Sequence, residues 1–173
     1  GPTAATWLNR TLETELERIF REYGEEHRAR RIARLVVQER RRRPFQTTRQ
    51  LVKLLEQAQG PWGRRGRLHP ATRVFQALRI AVNLELDELT TFLTHAPAWL
   101  EPGGRLVVIS YHSLEDRLVK QGMAGWERTG VMVRLTRKPL TPTAAEVQAN
   151  PRARSAKLRI AENLLQELKQ SYP

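Results

Sequence analysis

The 173-residue chain has no cysteine, which excludes disulfides, thiolate zinc sites and thiol catalysis. Aromatic residues make up only 6% of it, too few for an extended base-stacking platform of the kind single-strand binders use. Its apolar runs are a few residues long, against the roughly 20 that a membrane helix needs. No charged-then-apolar leader opens the chain either, so a cytoplasmic protein without a membrane partner is expected. No pair of His or carboxylate residues has metal-ligand spacing, and no metal is expected. Lysine is scarce as well, at 5 of the 30 basic residues.

The other 25 basic residues are arginine, and with 18 acidic residues the formal charge is +12. Guanidinium suits phosphates and base edges better than ammonium does, so a polyanionic partner is the natural inference. The excess is uneven: residues 1–68 carry 16 basic and 8 acidic side chains, residues 69–173 carry 14 and 10. With 40% apolar residues, the chain is long enough for one domain with a real core, or for two small ones.

Leu12, Leu16, Ile19, Phe20 and Tyr23 recur at helical spacing, with Thr11 placed as N-cap and Gly24 as stop. A second helix is predicted over 25–43, with Ala29, Ile32, Ala33, Val36 and Val37 as its stripe and Pro44 as its end. Thr47 or Thr48 caps a third, with Leu51, Leu54, Leu55 and Ala58 on one face. These make a small all-α domain over 1–68. The string GPWGRRGRL from Gly60 mixes breakers with charge and is the boundary candidate.

From Pro70 the apolar positions Val74, Leu78, Ala81, Val82, Leu86, Leu89 and Leu93 predict one long helix, broken at most once, up to Pro97. After the Pro102-Gly103-Gly104 turn, Leu106, Val107, Val108 and Ile109 form an unbroken apolar run. It reads as a central parallel strand over 105–111 with helices on both faces. A helix is then expected from Ser113 to about Met123, ending at Gly122 or Gly125, with strands near 131–136 and 157–161. Thr143 and Glu146 form a capping box for a short helix between those strands.

Two constellations carry polar chemistry. His112, Ser113, Glu115, Asp116 and Arg117 follow the strand at its carboxyl end, where open α/β sheets place their ligand crevice. Ser113 and Asp116 also read as an N-cap with an acid in the first turn; capping does not account for His112 in that reading. Asn150, Arg152, Arg154 and Ser155 form the second, either a loop presenting arginines to RNA or an Asn-Pro turn into an edge strand. Arg40, Arg41, Arg42 and Arg43 end a helix where cations are favoured by the dipole. Together with Arg28, Arg30, Arg31 and Arg34 on the same helix and Arg64, Arg65 and Arg67 in the linker, they also suggest a broad surface for a polyanion such as RNA, whose binding falls steeply with salt. Arg73, Gln76, Arg79 and Asn83 lie near one face of the long helix.

Three stretches, LEPGGRLVVISYHSLEDRLVK from Leu100, HPATRVFQALRIAVNLELDEL from His69 and NPRARSAKLRIAEN from Asn150, resemble the bacterial small-subunit ribosomal RNA (cytosine-N4)-methyltransferase family, methyltransferase H type. The resemblance runs from about residue 3 to 163. Tyr111 stands where Phe is more usual, the stretch 122–130 is short and Gly-rich, and the tail LLQELKQSYP has no counterpart.

The resemblance implies an α/β fold, with a partial Rossmann-like methyltransferase sheet over 69–173, its last two strands an antiparallel edge pair, beside the helical domain. It implies S-adenosylmethionine as methyl donor and small-subunit ribosomal RNA as partner. The Gly-rich loop and the acidic ribose-binding residue that hold the cofactor are not in this sequence, so this looks like the C-terminal portion of the enzyme, inactive alone. Methyl transfer to an exocyclic cytosine amine is an in-line displacement at a sulfonium methyl. The amine is a poor nucleophile, so the site must orient it and accept its hydrogens. His112, Ser113, Glu115 and Asp116 are the candidates for that work. Arg73, Arg117, Asn150, Arg152, Arg154, Ser155 and Arg40 to Arg43 are the candidates for RNA binding. A non-catalytic basic RNA-binding module is the alternative.

Overall fold

The computed structural model describes residues 1–59 and 71–164, which form two compact units, the first spanning Gly1–Glu85 and the second beginning at Leu86. The GPWGRRGRL boundary segment lies outside the described residues. Packing places the division some seventeen residues beyond the expected one at 68/69, because α5 (Ala71–Asn83) contributes Ala71, Val74, Ala77, Leu78 and Ala81 to the helical core.

In the helical unit α5 is joined by α1 (Ala4–Arg10), α2 (Glu13–Glu22), α3 (Ala29–Arg42) and α4 (Thr48–Gln59). The expected stripes are buried at Leu16, Ile19 and Phe20 on α2, Ile32, Ala33 and Val36 on α3, and Leu51, Leu55 and Ala58 on α4, but Leu12, expected in the first stripe, precedes α2 and is 72% exposed. At roughly 25 cal/mol per Å² of apolar area, this burial is the main force holding the unit. α1 was not legible as a helix, and it moves the cap. Thr3 caps α1 by accepting from the Thr6 amide at 3.2 Å, whereas Thr11 is the C-cap of α1 and Leu12 precedes α2 with no side-chain cap. Thr47 caps α4, its amide donating in return to Gln50 Oε1 at 2.9 Å. Gly24 is required by close approach: a Cβ there would lie 2.7 Å from the Phe20 carbonyl oxygen and 2.8 Å from that of Arg73.

The long helix expected after Pro70 is broken once, at Leu84, whose φ of 53° is left-handed and strained for a non-glycine residue. α6 (Glu85–His95) and a 3₁₀ turn (Ala96–Trp99) then lead to β1 (Arg105–Ser110). α7 (Ser113–Arg128), β2 (Met132–Arg134), α8 (Ala144–Ala149), a second 3₁₀ turn (Pro151–Ser155) and β3 (Lys157–Asn163) follow. Thr143 caps α8 as expected. α7 runs through both expected stops, and Gly122 sits where a Cβ would come within 3.3 Å of Leu93 Cδ1 on α6. This glycine serves packing between helices and not termination.

The class is α/β with a helical part, and the strands pair in the order β1-β3-β2, antiparallel throughout. The reading of β1 as a central parallel strand covered on both faces is corrected. It lies at the edge of the described sheet, and Val107 and Ile109 on one face are 52% and 51% exposed. Leu106 and Val108 on the other face pack with Val119, Met123, Met132, Ala161 and Leu93. Apolar continuity in sequence therefore marked a strand but not its coverage. β3 lies between β1 and β2, so the turn at Asn150 does not lead into an edge strand, while β2 and β3 form the antiparallel pair that the resemblance implies, with β2 outermost.

Candidate functional site at the carboxyl end of β1

The alternation on β3 turns a charged residue inward. Leu158 and Ile160 are half-buried, while Arg159, Ala161 and Asn163 are buried. A buried guanidinium demands a counter-charge, and Asp116 on α7 supplies it. Arg159 Nε donates to Oδ1 at 2.7 Å, and Lys157 Nζ donates to Oδ2 at 2.9 Å. Burial pushes the Asp116 carboxyl up, and the hydrogen bonds from Arg159 and Lys157 outweigh it, holding it below the ordinary value. Both carboxylate oxygens are thus committed to tying the first turn of α7 to β3.

His112 is the N-cap of α7, one residue before the expected cap. Its Nδ1 accepts from the Glu115 amide at 3.3 Å, and Glu115 Oε2 reaches back to accept from the Tyr111 amide at 2.9 Å and the His112 amide at 3.4 Å. This is a reciprocal capping box with His in the place usually held by Ser or Thr. Since Nδ1 accepts, a neutral ring carries its hydrogen on Nε2. That nitrogen is buried with no hydrogen-bond partner among the described residues, although it lies 3.3 Å from Glu115 Oε1. Burial pushes the Glu115 carboxyl up, but the neighbouring His112 ring and the Tyr111 amide hold it below its ordinary value. The pair therefore presents a carboxylate oxygen and an imidazole N–H side by side.

The second constellation comes to the same end of the sheet. Because β3 runs antiparallel to β1, Lys157 pairs with Ser110, so residues 150–155 enter the sheet where 111–116 leave it. Asn150 accepts from the Arg152 amide at 3.2 Å and so caps the 3₁₀ turn; Ala153 is its buried anchor, and Arg152, Arg154 and Ser155 are exposed. Ser113 and Arg117 are also exposed. The arrangement brings together a hydrogen-bond acceptor, a donor and exposed arginines at one sheet end. Lys157 and Arg159 were missed in the sequence because alternation with Leu158 and Ile160 marks a strand without showing which face turns inward. The signal that could have found them is the acid in the first turn of α7, which needs a cation once both elements pack.

The remaining candidates lie in the helical unit. Arg40 is turned inward, donating to the carbonyls of Leu8 at 2.9 Å and Thr11 at 2.6 Å, and so closes the end of α1. Arg41, Arg42 and Arg43 are exposed. Arg73 donates to the Glu25 carbonyl at 3.2 Å, Gln76 to that of Tyr23 at 3.2 Å, and Arg79 pairs with Glu85. A groove of about 540 Å³ beside Arg73 is bordered by Glu17, Arg21, Glu25, Glu26 and Arg30, a mixed set of charges. No helix among the described residues is long and apolar enough to cross a membrane.

The family model described as the MraW methylase family matches residues 1–164. The chain is 54% identical over 165 residues to the ribosomal RNA small subunit methyltransferase H of Synechococcus elongatus, covering 95% of this chain and 54% of that protein. It is 59% identical over 159 residues to the protein of the same name from Synechococcus sp. strain JA-2-3B'a(2-13), covering 92% and 48%. With the one from Trichodesmium erythraeum the figures are 51% over 162 residues, covering 94% and 55%. The chain spans about half the length of these relatives. With matches running through both units and through the HSLEDR string itself, the chain belongs to the MraW methylase family.

Proposed function

We propose that this chain contributes the RNA-facing helical unit and one wall of the reaction site of a ribosomal RNA methyltransferase, acting on N4 of a cytidine in small-subunit ribosomal RNA. One observation carries the reading. Within a family match over residues 1–164, the HSLEDR string stands at the carboxyl end of β1 with His112 and Glu115 joined, and relatives named for small-subunit ribosomal RNA share 51–59% identity with it.

The exocyclic amine of cytosine has its lone pair delocalised into the ring, so a protein must orient it and take up its hydrogens. In this reading Glu115 and His112 border the base, as acceptor and donor. Asp116, saturated by Arg159 and Lys157, positions α7 and does not receive a proton. Ser113, Arg117, Asn150, Arg152, Arg154 and Ser155 face the RNA strand around the base, and within the helical unit Arg73 and Arg41 to Arg43 are the RNA contacts.

Methylases of this kind draw on S-adenosylmethionine, which supplies an electrophilic sulfonium methyl. The described residues do not fit that group. The glycines nearest the sheet, Gly103 and Gly104, precede β1 instead of following it. At the N-terminus of α7, a natural anchor for a cofactor carboxylate, Glu115 accepts from the Tyr111 and His112 amides and His112 Nδ1 accepts from the Glu115 amide. Cofactor binding belongs, in this reading, to the portion of the relatives' length that the chain does not span, and the chain alone transfers no methyl group.

The test is label transfer from S-adenosylmethionine to small ribosomal subunits, with the chain alone and with the remaining half of a relative added as a second polypeptide. N4-methylcytidine formed only by the pair supports the reading; label on another nucleoside, or none with the pair, overturns it. A non-catalytic RNA-binding module is favoured by one observation, the exposed Arg31, Arg41 and Arg42 of α3, which have no carboxylate partner among the described residues. In that case the reconstituted pair and its Glu115→Gln variant would be equally inactive while RNA binding persisted.

A further inference from the structure

We infer that the outward face of α3 is a docking surface for double-helical RNA, engaged through phosphates and helix shape and not through bases. This rests on the ribosomal RNA reading above and names the form of RNA the helical unit takes.

The arginines of α2 and α3 are used differently. On α2, Arg18 is paired with Glu15 at 2.7 Å and with Glu22 at 2.8 Å, and Arg21 with Glu17 at 2.9 Å. On α3 the residues opposite the buried stripe are Arg31, Arg34, Gln38, Arg41 and Arg42, all exposed. Arg34 reaches Glu13 only at 3.9 Å, and Arg31, Arg41 and Arg42 have no carboxylate partner among the described residues.

Helix stability explains only part of this pattern. Cations in the last turn are favoured by the helix dipole. The first turn is another matter: it holds Arg30 and Arg31 and no acid at all, the unfavourable sign for that end. Like charges four residues apart on a helix, as Arg30 and Arg34 are, repel as well. A polyanion lying along the whole helix resolves both conflicts by neutralising the two ends together.

The surface also lacks what single strands require. Sequence-reading and single-strand binding rely on exposed aromatic rings that stack on splayed bases. In the helical unit Trp7, Phe20, Tyr23, Phe45 and Phe75 are all buried or half-buried, so no described aromatic is presented. What remains is a rigid rod with guanidinium groups at both ends. Arg31 and Arg42 are eleven residues apart, or roughly 16 Å of rise on nearly the same face. Such a rod can bridge phosphates of two strands across the wide, shallow minor groove of A-form RNA.

The test uses the full chain and three labelled ligands of matched length: an RNA hairpin, a single-stranded RNA of the same composition and a B-form DNA duplex. Fluorescence anisotropy should show the hairpin bound at least about tenfold more tightly than either other ligand. The triple variant Arg31→Ala, Arg34→Ala, Arg42→Ala should weaken hairpin binding by tenfold or more and lower the slope of log affinity against log salt by about 3. Its circular dichroism should be unchanged, and Arg21→Ala, on the paired helix, should leave affinity unaltered. Equal affinity for hairpin and single strand, equal affinity for RNA and DNA duplexes, or an unchanged salt slope in the triple variant would overturn the duplex assignment alone. Failure to bind any RNA would overturn it together with the ribosomal RNA reading.

Discussion

The two units differ in how much charge they bury. The helical unit has a core of aliphatic and aromatic side chains, with Leu16, Ile19, Phe20, Ile32, Val36 and Leu55 wholly buried; Glu26 is its one buried charged residue among those described, and nearly all its arginines are at the surface. The sheet unit has a smaller apolar core around Val119, Met123 and Met132 and completes it with buried polar groups. Arg159 lies against Asp116, and Asn163 Nδ2 donates to the Leu100 carbonyl at 2.7 Å, pinning the turn before β1. Apolar packing is non-directional and tolerates small shifts, whereas a buried ion pair requires a particular register. The unit that carries the candidate site residues His112 and Glu115 is the one with the more directional contacts.

The largest effect expected from breaking this contrast is in the helical core. Phe20→Ala should cost about 3–5 kcal/mol in denaturant unfolding, since it opens a cavity among fully buried neighbours. Asp116→Asn should cost about 3 kcal/mol, because it leaves the Arg159 guanidinium buried without its counter-charge. The double variant Asp116→Leu, Arg159→Met should recover most of that loss. A double variant as unstable as the single one would show that the pair is not what holds α7 to β3.

The same carboxylate sets an acid dependence. The folded-state pKa of Asp116 is lowered from 3.8, so its contribution is present above that value and is lost as pH falls through the lower folded value. Stability of the native chain should therefore drop more steeply below about pH 4 than that of Asp116→Asn. Parallel curves would remove Asp116 from the acid response.

Smaller effects sharpen the contrast within single motifs. Arg40→Ala should destabilise by about 1–2 kcal/mol, as the carbonyls of Leu8 and Thr11 lose their donor, while Arg41→Ala beside it should stay within about 0.5 kcal/mol. Similar values for both would mean that Arg40 closes nothing. His112→Ala should cost about 1 kcal/mol as a lost cap, with His112→Asn restoring most of it; thermal unfolding of the three proteins decides.

Much of the helical unit was legible because its packing obeys a period that sequence displays. Apart from Leu12, which lies before α2 and is exposed, the stripes of α2, α3 and α4 are buried or half-buried, and Gly24 and Pro44 lie just beyond helix ends. α1 escaped because seven residues with one buried leucine make no stripe. In the sheet unit, β1 and the start of α7 were legible, but the cap was not. H-x-x-E from His112 and S-x-x-D from Ser113 have the same spacing, so spacing alone cannot choose between registers one residue apart. The structure selects His112 and thereby frees Asp116 to turn toward β3.

Composition and periodicity alone determined that the chain has a basic, arginine-rich helical part, an apolar strand ending in a polar cluster, and no cysteine with which to form a disulfide. These are local properties, set by residue type and by the repeat of a helix or strand. Only the tertiary structure decided which faces are covered, that β3 lies between β1 and β2, and that Arg159 faces inward to meet Asp116 across residues far apart in the chain. The reason is physical: a charged residue is poor in a core until its partner arrives, and that partner comes from another element.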